Sequence, residues 1–300
     1  MTLPELDTGA APAGEHGPPV RRGLSLRALA HNKSLTAGLL LIFVVLAVGI
    51  LVPLFRPGGA TTLHPDASLA TPGAGYPLGA DQFGRDLLTR VAVGYRISLA
   101  VSTGSVAVAL LLGIPIGLIA ATGAAWLGGV IMRVLDVLMA FPALLLAIVV
   151  VAIFSPGTLV LLLAIGIVYT PVVARVTRAA ALETSKESFV DAARARGASY
   201  WRLVARHIAP NSMGPVIVQA SILLGVSVLL EAALSFIGLG VQPPTPSLGL
   251  MLSTGRDFMS SSPWVVADPA VAILIMVAGC TLVGDGLRDW LDPRKRAIAR

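Results

Sequence analysis

The side chains best suited to chemistry are concentrated in residues 191–210, a short polar segment in a sequence that is otherwise mostly apolar. The segment reads DAARARGASYWRLVARHIAP and contains four arginines beside a tyrosine and a tryptophan. Arginine and aromatic side chains carry much of the binding energy at protein–protein contacts, and small alanines let another surface approach the backbone. These features favour a docking surface for a soluble partner. The same arginines also suit anionic lipid headgroups, so composition alone leaves both interpretations open.

No other part of the sequence has the spacing of a catalytic or cofactor site. The four histidines are scattered, at His16, His31, His64 and His207, and no HExxH or GxSxG motif occurs. The sequence also lacks GxxxxGK[ST], and none of its three lysines follows a glycine, so it has no Walker A loop. The single cysteine, Cys280, excludes an intramolecular disulfide and is expected to be a small buried hydrophobe. We predict that the chain is not an enzyme and holds no catalytic residue, cofactor or metal ion of its own.

The composition indicates an integral membrane protein, because 55% of residues are hydrophobic, only 13% are charged and the mean hydropathy is +0.84. The net charge of +6 could suggest nucleic acid as a partner. Basic residues, however, collect on the cytoplasmic side of membrane proteins for topological reasons. We therefore predict contact with membrane lipid and no nucleic-acid partner.

Six apolar runs are long enough to cross a bilayer, since ~20 helical residues at ~1.5 Å each match a ~30 Å hydrocarbon core. They cover roughly 35–55, 97–121, 127–154, 158–176, 215–236 and 265–287. Their length and their alanine, leucine and valine content favour helices over the short alternating strands of a membrane barrel. The sequence therefore predicts an all-α bundle of six transmembrane helices.

Arginines and lysines that flank these runs indicate the orientation. Six spans place the N-terminal segment, the region 175–206 and the tail on one side, which the positive-inside rule identifies as cytoplasmic. Three arginines in the loop after the first run conflict mildly with this orientation, but nearby aspartates offset them. We divide the chain into a cytoplasmic segment 1–34 with an interfacial helix over 25–33, a first helix and extracytoplasmic loop 35–96, a five-helix core 97–288 that includes a cytoplasmic loop 177–212, and a cytoplasmic tail 289–300.

The polar segment resembles the cytoplasmic EAA loop of ABC-importer permeases. Its acidic-Ala-Ala triplet is Asp191, Ala192 and Ala193; a glycine, Gly197, follows four residues after the second alanine, and Pro210 lies thirteen residues after the glycine. Aspartate stands where the pattern has glutamate, which keeps the charge but shortens its reach. His207 and Ala209 stand where the pattern usually has isoleucine and leucine.

Three separated stretches extend the resemblance beyond this loop. Leu78–Ala100, Met132–Ile148 and Glu231–Leu252 are similar to the dipeptide/oligopeptide/nickel permease family of ABC importers. A single span before the five-helix core is typical of the second, C-type permease subunit of that family. The resemblance covers about residues 24–294, and it implies the type I permease fold.

The resemblance implies a function as well as a fold. Such a chain forms half of the translocation pathway in a bacterial cytoplasmic membrane, paired with a second homologous permease, two cytoplasmic ATPases that bind ATP and magnesium, and an extracytoplasmic solute-binding protein. Peptides are the first expectation for the substrate; nickel or another small solute is the alternative, and an ATP-independent channel or secondary transporter is the alternative of a different class. The residues implied to contact the ATPases are Asp191, Ala192, Ala193, Arg196, Gly197, Ala198, Trp201, Arg202, His207 and Pro210.

Two further polar features lie outside that loop. Glu231 begins a second EAA triplet, but no glycine and proline follow at the required spacing. We expect it near the outer end of the fifth run, capping or pairing at the extracytoplasmic interface, with substrate contact as the alternative. Arg133 and Asp136, three residues apart, predict an ion pair along one helix.

Overall fold

A computed structural model describes residues 32–73 and 75–291. Within these ranges the chain is a helical bundle, and the only β pairing is an isolated bridge between Ala80 and Asp86. The helices are α1 Lys33–Phe55, α2 Leu87–Thr122, α3 Ala125–Met139, α4 Ala143–Phe154, α5 Thr158–Thr184, α6 Ser188–Ala195, α7 Tyr200–Leu203, α8 Ala209–Asn211, α9 Met213–Phe236, α10 Leu248–Gly255 and α11 Trp264–Leu291. The predicted interfacial helix over 25–33 and the tail 289–300 lie largely outside the described residues.

Five of these helices are long and apolar enough to cross a membrane: α1, α2, α5, α9 and α11. The third apolar run is not one straight helix, because α3 and α4 meet at a bend of 90°. Pro142 lies in the break, immediately before the first residue of α4. A proline at this position does not disrupt the helix, because its fixed φ is compatible with a helix start and no N–H donor is needed there. The predicted all-α membrane architecture is confirmed, with the bent pair in the place of the sixth span.

Helix α2 begins ten residues before the apolar run that revealed it, because Arg90 is neutralised inside the protein. The Arg90 side chain is 5% exposed, lies 3.3 Å from Asp81 Oδ2 and donates a 2.8 Å hydrogen bond to the Ala60 carbonyl. Asp81 also pairs with Arg85 at 2.7 Å. These contacts tie the loop of residues 56–86 onto the start of α2. An aspartate offsets Arg85 and Arg90, as expected, whereas Arg96 has no such partner in the described ranges.

Helices α2 and α5 pack side by side and run parallel. A Cβ built on Gly117 would lie 2.5 Å from the Ala174 carbonyl oxygen, and one on Gly166 would lie 2.7 Å from Val108 Cβ. Glycine is required at both positions because the two backbones approach too closely for any side chain. Apolar side chains from α2, α4, α5 and α9 form one core beside this contact, while α1, α2, α9, α10 and α11 share a second core.

The expected ion pair between Arg133 and Asp136 is wrong. Asp136 Oδ1 instead accepts a short, charge-assisted hydrogen bond from Arg175 Nη2, and both side chains are about half exposed. Arg175 belongs to α5, so the contact links the two helices rather than two turns of α3. The sequence pattern missed it because residues 39 positions apart meet only after α3 and α5 pack.

We predict that Gly117→Ala lowers the thermal stability of the purified protein. The added methyl group would overlap the Ala174 carbonyl, and such overpacking costs about 1–3 kcal/mol. Gly129→Ala on α3 is the matched control, because a Cβ at Gly129 has no neighbour within 4 Å. Thermal unfolding in detergent should show a lower midpoint for the first variant only; equal midpoints would contradict the close α2–α5 contact.

Candidate functional site

The polar segment begins with α6 and a tight reversal at Gly197. The Gly197 φ angle is +78°, in the left-handed region that β-substituted residues avoid. Its N–H donates to the Arg194 carbonyl at 3.0 Å, and the Ala198 N–H donates to the Ala193 carbonyl at 3.2 Å. This pair of bonds is a Schellman motif, which satisfies the last carbonyls of α6. Space does not impose the glycine, since a Cβ there would meet nothing within 4 Å.

The second half of the segment is helical up to and beyond Pro210. Helix α7 continues into a π-helical turn over Val204–Ile208, and α8 then contains the proline. Asn211 Nδ2 donates to the His207 carbonyl at 2.6 Å, and the Ile208 carbonyl accepts from the Ser212 N–H at 3.0 Å and from Ser212 Oγ at 2.8 Å. Pro210, the last residue of the segment, therefore lies inside α8, directly after the π-helical turn.

A small apolar cluster holds the segment together from within. Its buried members are Ala181, Val190, Ala193, Leu203, Val204 and Ile208. Ala198 packs against this cluster, as do Leu118 and Ala121 near the end of α2. The two alanines of the triplet therefore differ: Ala193 is 2% exposed and packs inward, whereas Ala192 is exposed. Of these two alanines, only Ala192 is accessible to a partner.

Hydrogen bonds attach the segment to the ends of the membrane helices. The Tyr200 hydroxyl lies 2.8 Å from Thr122 Oγ1 at the end of α2. Ser212 Oγ lies 3.2 Å from Thr184 Oγ1 at the end of α5, and both side chains are buried. The segment is thus joined to the ends of α2 and α5 by both polar and apolar contacts. The sequence motif did not predict these contacts with α2 and α5. The spacing of Leu203, Val204 and Ile208 among arginines does, however, indicate an amphipathic helix.

The remaining predicted residues form the exposed surface of the segment. Trp201 is 74% exposed and meets Tyr200 edge to face, with ring centroids 5.4 Å apart. Asp191 and Arg194 form an exposed ion pair at 3.1 Å, which contributes little stability in water. Ala198 and His207 are half-buried. The other predicted residues are exposed: Ala192, Arg196, Gly197, Arg202 and Pro210. A large aromatic ring held in water on a rigid support is suited to insertion into a partner's pocket.

Glu231 lies apart from this segment, near the C-terminal end of α9, and is fully buried. Its Oε2 accepts a 2.7 Å hydrogen bond from Ser98 of α2, and its Oε1 accepts one of 2.9 Å from Ser235. The expected interfacial cap or ion pair is therefore replaced by hydroxyl donors inside the bundle. Among residues 32–73 and 75–291, no group of three or more His, Cys, Asp or Glu is placed to hold a metal ion.

Comparison with known proteins places these features in a family context. Residues 113–297 match the family described as the binding-protein-dependent transport system inner membrane component. The chain is 40% identical to a dipeptide transport system permease protein from Alkalihalophilus pseudofirmus, over 91% of this chain and 90% of that protein. It is 41% identical to a glutathione transport system permease protein from Pectobacterium atrosepticum, over 75% of each.

Solved structures agree on the fold. An inward-facing structure of the MetNI methionine ABC transporter aligns with a TM-score of 0.57 at 19% identity, covering 68% of this chain and 96% of that one. An amino acid ABC transporter aligns with a TM-score of 0.53 at 16% identity, covering 69% and 94%. These likenesses confirm the predicted permease fold.

We predict that Gly197→Val loosens the polar segment, because a β-branched residue at a left-handed φ costs about 1–2 kcal/mol. Amide hydrogen exchange across residues 188–208 should accelerate about tenfold, the equivalent of 1.4 kcal/mol. Gly197→Asn should have a smaller effect, since asparagine tolerates this conformation. Gly214→Val is the control, because Gly214 has no positive φ and no neighbour within 4 Å of a Cβ. Unchanged exchange in Gly197→Val would show that the reversal is not essential.

Proposed function

Because this chain belongs to the family of binding-protein-dependent transport system inner membrane components, we propose that it is the permease subunit of an ABC importer for di- or oligopeptides and forms half of the translocation pathway. It is a multi-pass membrane protein of the permease fold. The observation that carries the peptide assignment is the 40% identity to dipeptide permeases of two bacteria over 91% of the chain. The glutathione relative supports the same substrate class, because glutathione is itself a short peptide.

The partners follow from the importer architecture. We propose a second homologous permease as the other half of the pathway, two cytoplasmic ATPases that bind ATP and magnesium, and a solute-binding protein outside. Arginines concentrate in the segment between α5 and α9, which supports a cytoplasmic position for that segment. Both termini then lie in the cytoplasm, since four spans, with the bent pair counted as one, separate the segment from the N-terminus and two separate it from the C-terminus.

The polar segment is proposed as the ATPase contact because it combines an exposed anchor with a rigid support. Trp201 projects into solvent, whereas Ala193 and Leu203 lock the segment onto the membrane helices beneath it. ATP-driven closure of the ATPases would move the segment as a unit, and Leu118 and Ala121 would pass that motion to α2. Because α2 packs closely against α5, the same motion would reach the rest of the bundle. In this chain the residues transmit motion, and the partners carry out hydrolysis.

Peptide transport is tested with the complete importer in proteoliposomes. We expect uptake of a labelled dipeptide that requires ATP and the solute-binding protein, and that an excess of unlabelled dipeptide abolishes. Uptake without ATP would support a channel or secondary transporter instead. ATP-dependent uptake of nickel without uptake of dipeptide would reassign the substrate and leave the importer architecture intact.

The coupling role is tested by Trp201→Ala, which should lower dipeptide-stimulated ATP hydrolysis by at least about tenfold, because buried aromatic anchors are each worth about 2 kcal/mol or more at an interface. Trp126→Ala is the matched control, since Trp126 is 71% exposed but lies on α3, outside the segment. Both variants should insert into the membrane normally. Wild-type coupling in Trp201→Ala would exclude this side chain as the anchor.

A further inference from the structure

Arg96 differs from the other arginines near the start of α2. Arg56, Arg85 and Arg90 each lie within 3.3 Å of an aspartate oxygen. Arg96 is exposed, and within the described ranges 32–73 and 75–291 no acidic side chain or carbonyl pairs with it. An ionisable side chain on a membrane-spanning helix normally finds a partner, so an unpaired one indicates a ligand from outside the chain.

A groove of about 830 Å³ opens beside this arginine, between α1, α2, α9 and α11. Its floor is buried: Val45 and Val228 are fully enclosed, and Cys280 is 6% exposed. Its rim is open, since Leu39 and Ile50 of α1 are 45% and 57% exposed. The groove is thus a lipid-accessible slot with apolar walls rather than an enclosed cavity.

The dimensions of the groove match one leaflet of a bilayer. Leu39 and Ile50, which lie at its two ends on α1, are eleven residues apart, or about 16 Å along a helix. This length is about half of a ~30 Å hydrocarbon core. Arg96 packs at one end, because its Cγ would lie 3.1 Å from a Cβ built on Gly49. Its guanidinium can extend from there toward the membrane surface from which the loop 56–86 emerges.

We propose that this groove binds an anionic phospholipid, with the lipid phosphate at Arg96 and one acyl chain along the groove. The phosphate supplies the missing negative charge, and the apolar walls of the groove enclose the acyl chain. A helix of the second permease in the same place would have to bring an acidic side chain at the depth of Arg96. Every anionic phospholipid carries the required charge at the boundary of the hydrocarbon core. This site is independent of which substrate the protein transports.

The test uses the full chain in nanodiscs that contain a phosphatidylglycerol with a photoreactive diazirine in its acyl chain. After irradiation, mass spectrometry should locate lipid adducts on the groove segments of α1, α2, α9 and α11. Arg96→Gln should lower the adduct yield about fivefold, as expected for the loss of one basic contact with anionic lipid. Arg96→Lys should retain most of it, which would separate loss of charge from loss of fold.

Two controls make the result specific. Arg133→Gln should leave the adduct yield unchanged, because Arg133 is an exposed arginine on α3, outside the groove. Ala100→Trp, which places a ring in the groove from an exposed position, should lower the yield without removing a charge. Equal adduct yields in Arg96→Gln and wild type would overturn the proposal. Equal labelling by a phosphatidylcholine probe, or replacement of lipid adducts by cross-links to the second permease in the assembled importer, would overturn it as well.

Discussion

The close parallel contact between α2 and α5 is the constraint on which the rest of the structure depends. Lipid tails are as apolar as leucine, so helices in a membrane are held together by close packing and interhelical hydrogen bonds rather than by the hydrophobic effect. A Cβ on Gly113 would lie 2.7 Å from Val173 Cβ, so only glycine lets these backbones meet. Because the two helices run parallel, both end on the same side of the bundle. Their ends form the platform on which α6 and α7 pack.

Polar groups inside the bundle follow a related rule. In the absence of water, each buried polar side chain needs a partner from another part of the protein. Arg90 meets Asp81 and the Ala60 carbonyl of the preceding loop, and Glu231 of α9 meets Ser98 of α2. Each interaction therefore links two different structural elements. These bonds set the position of α2 relative to the loop of residues 56–86 and to α9. Arg96 is exposed and has no such partner in the described ranges, and it differs from the other exposed arginines in lying beside the apolar groove.

Much of the bundle could be predicted from composition and spacing, because ~20 consecutive apolar residues have few alternatives to a membrane helix. The break between α3 and α4 could not, since Phe141 and Pro142 interrupt the helix without interrupting the apolar run. The early start of α2 could not be predicted from the sequence either, for the opposite reason. Arg90 interrupts the apolar run but not the helix, and its neutralisation by Asp81 depends on the fold of the preceding loop.

The polar segment shows the same division within twenty residues. Its motif identifies Gly197 and Pro210, whose backbone properties are local: one permits a positive φ, and the other lacks an N–H. The motif does not distinguish Ala192, which is exposed, from Ala193, which is buried, because burial depends on the ends of α2 and α5. For the same reason, the contact between Tyr200 and Thr122 has no sequence signature.

By itself, the sequence determined that this chain is a helical membrane protein with one permease-type polar loop, because hydropathy, glycine and proline act through local backbone chemistry. Only the tertiary structure decided which residues of that loop are exposed, which arginines are neutralised and where Glu231 finds its donors. Those outcomes depend on pairings such as Asp136 with Arg175 and Ser98 with Glu231. Such pairs are far apart along the chain and meet only when whole helices pack, so no local pattern records them.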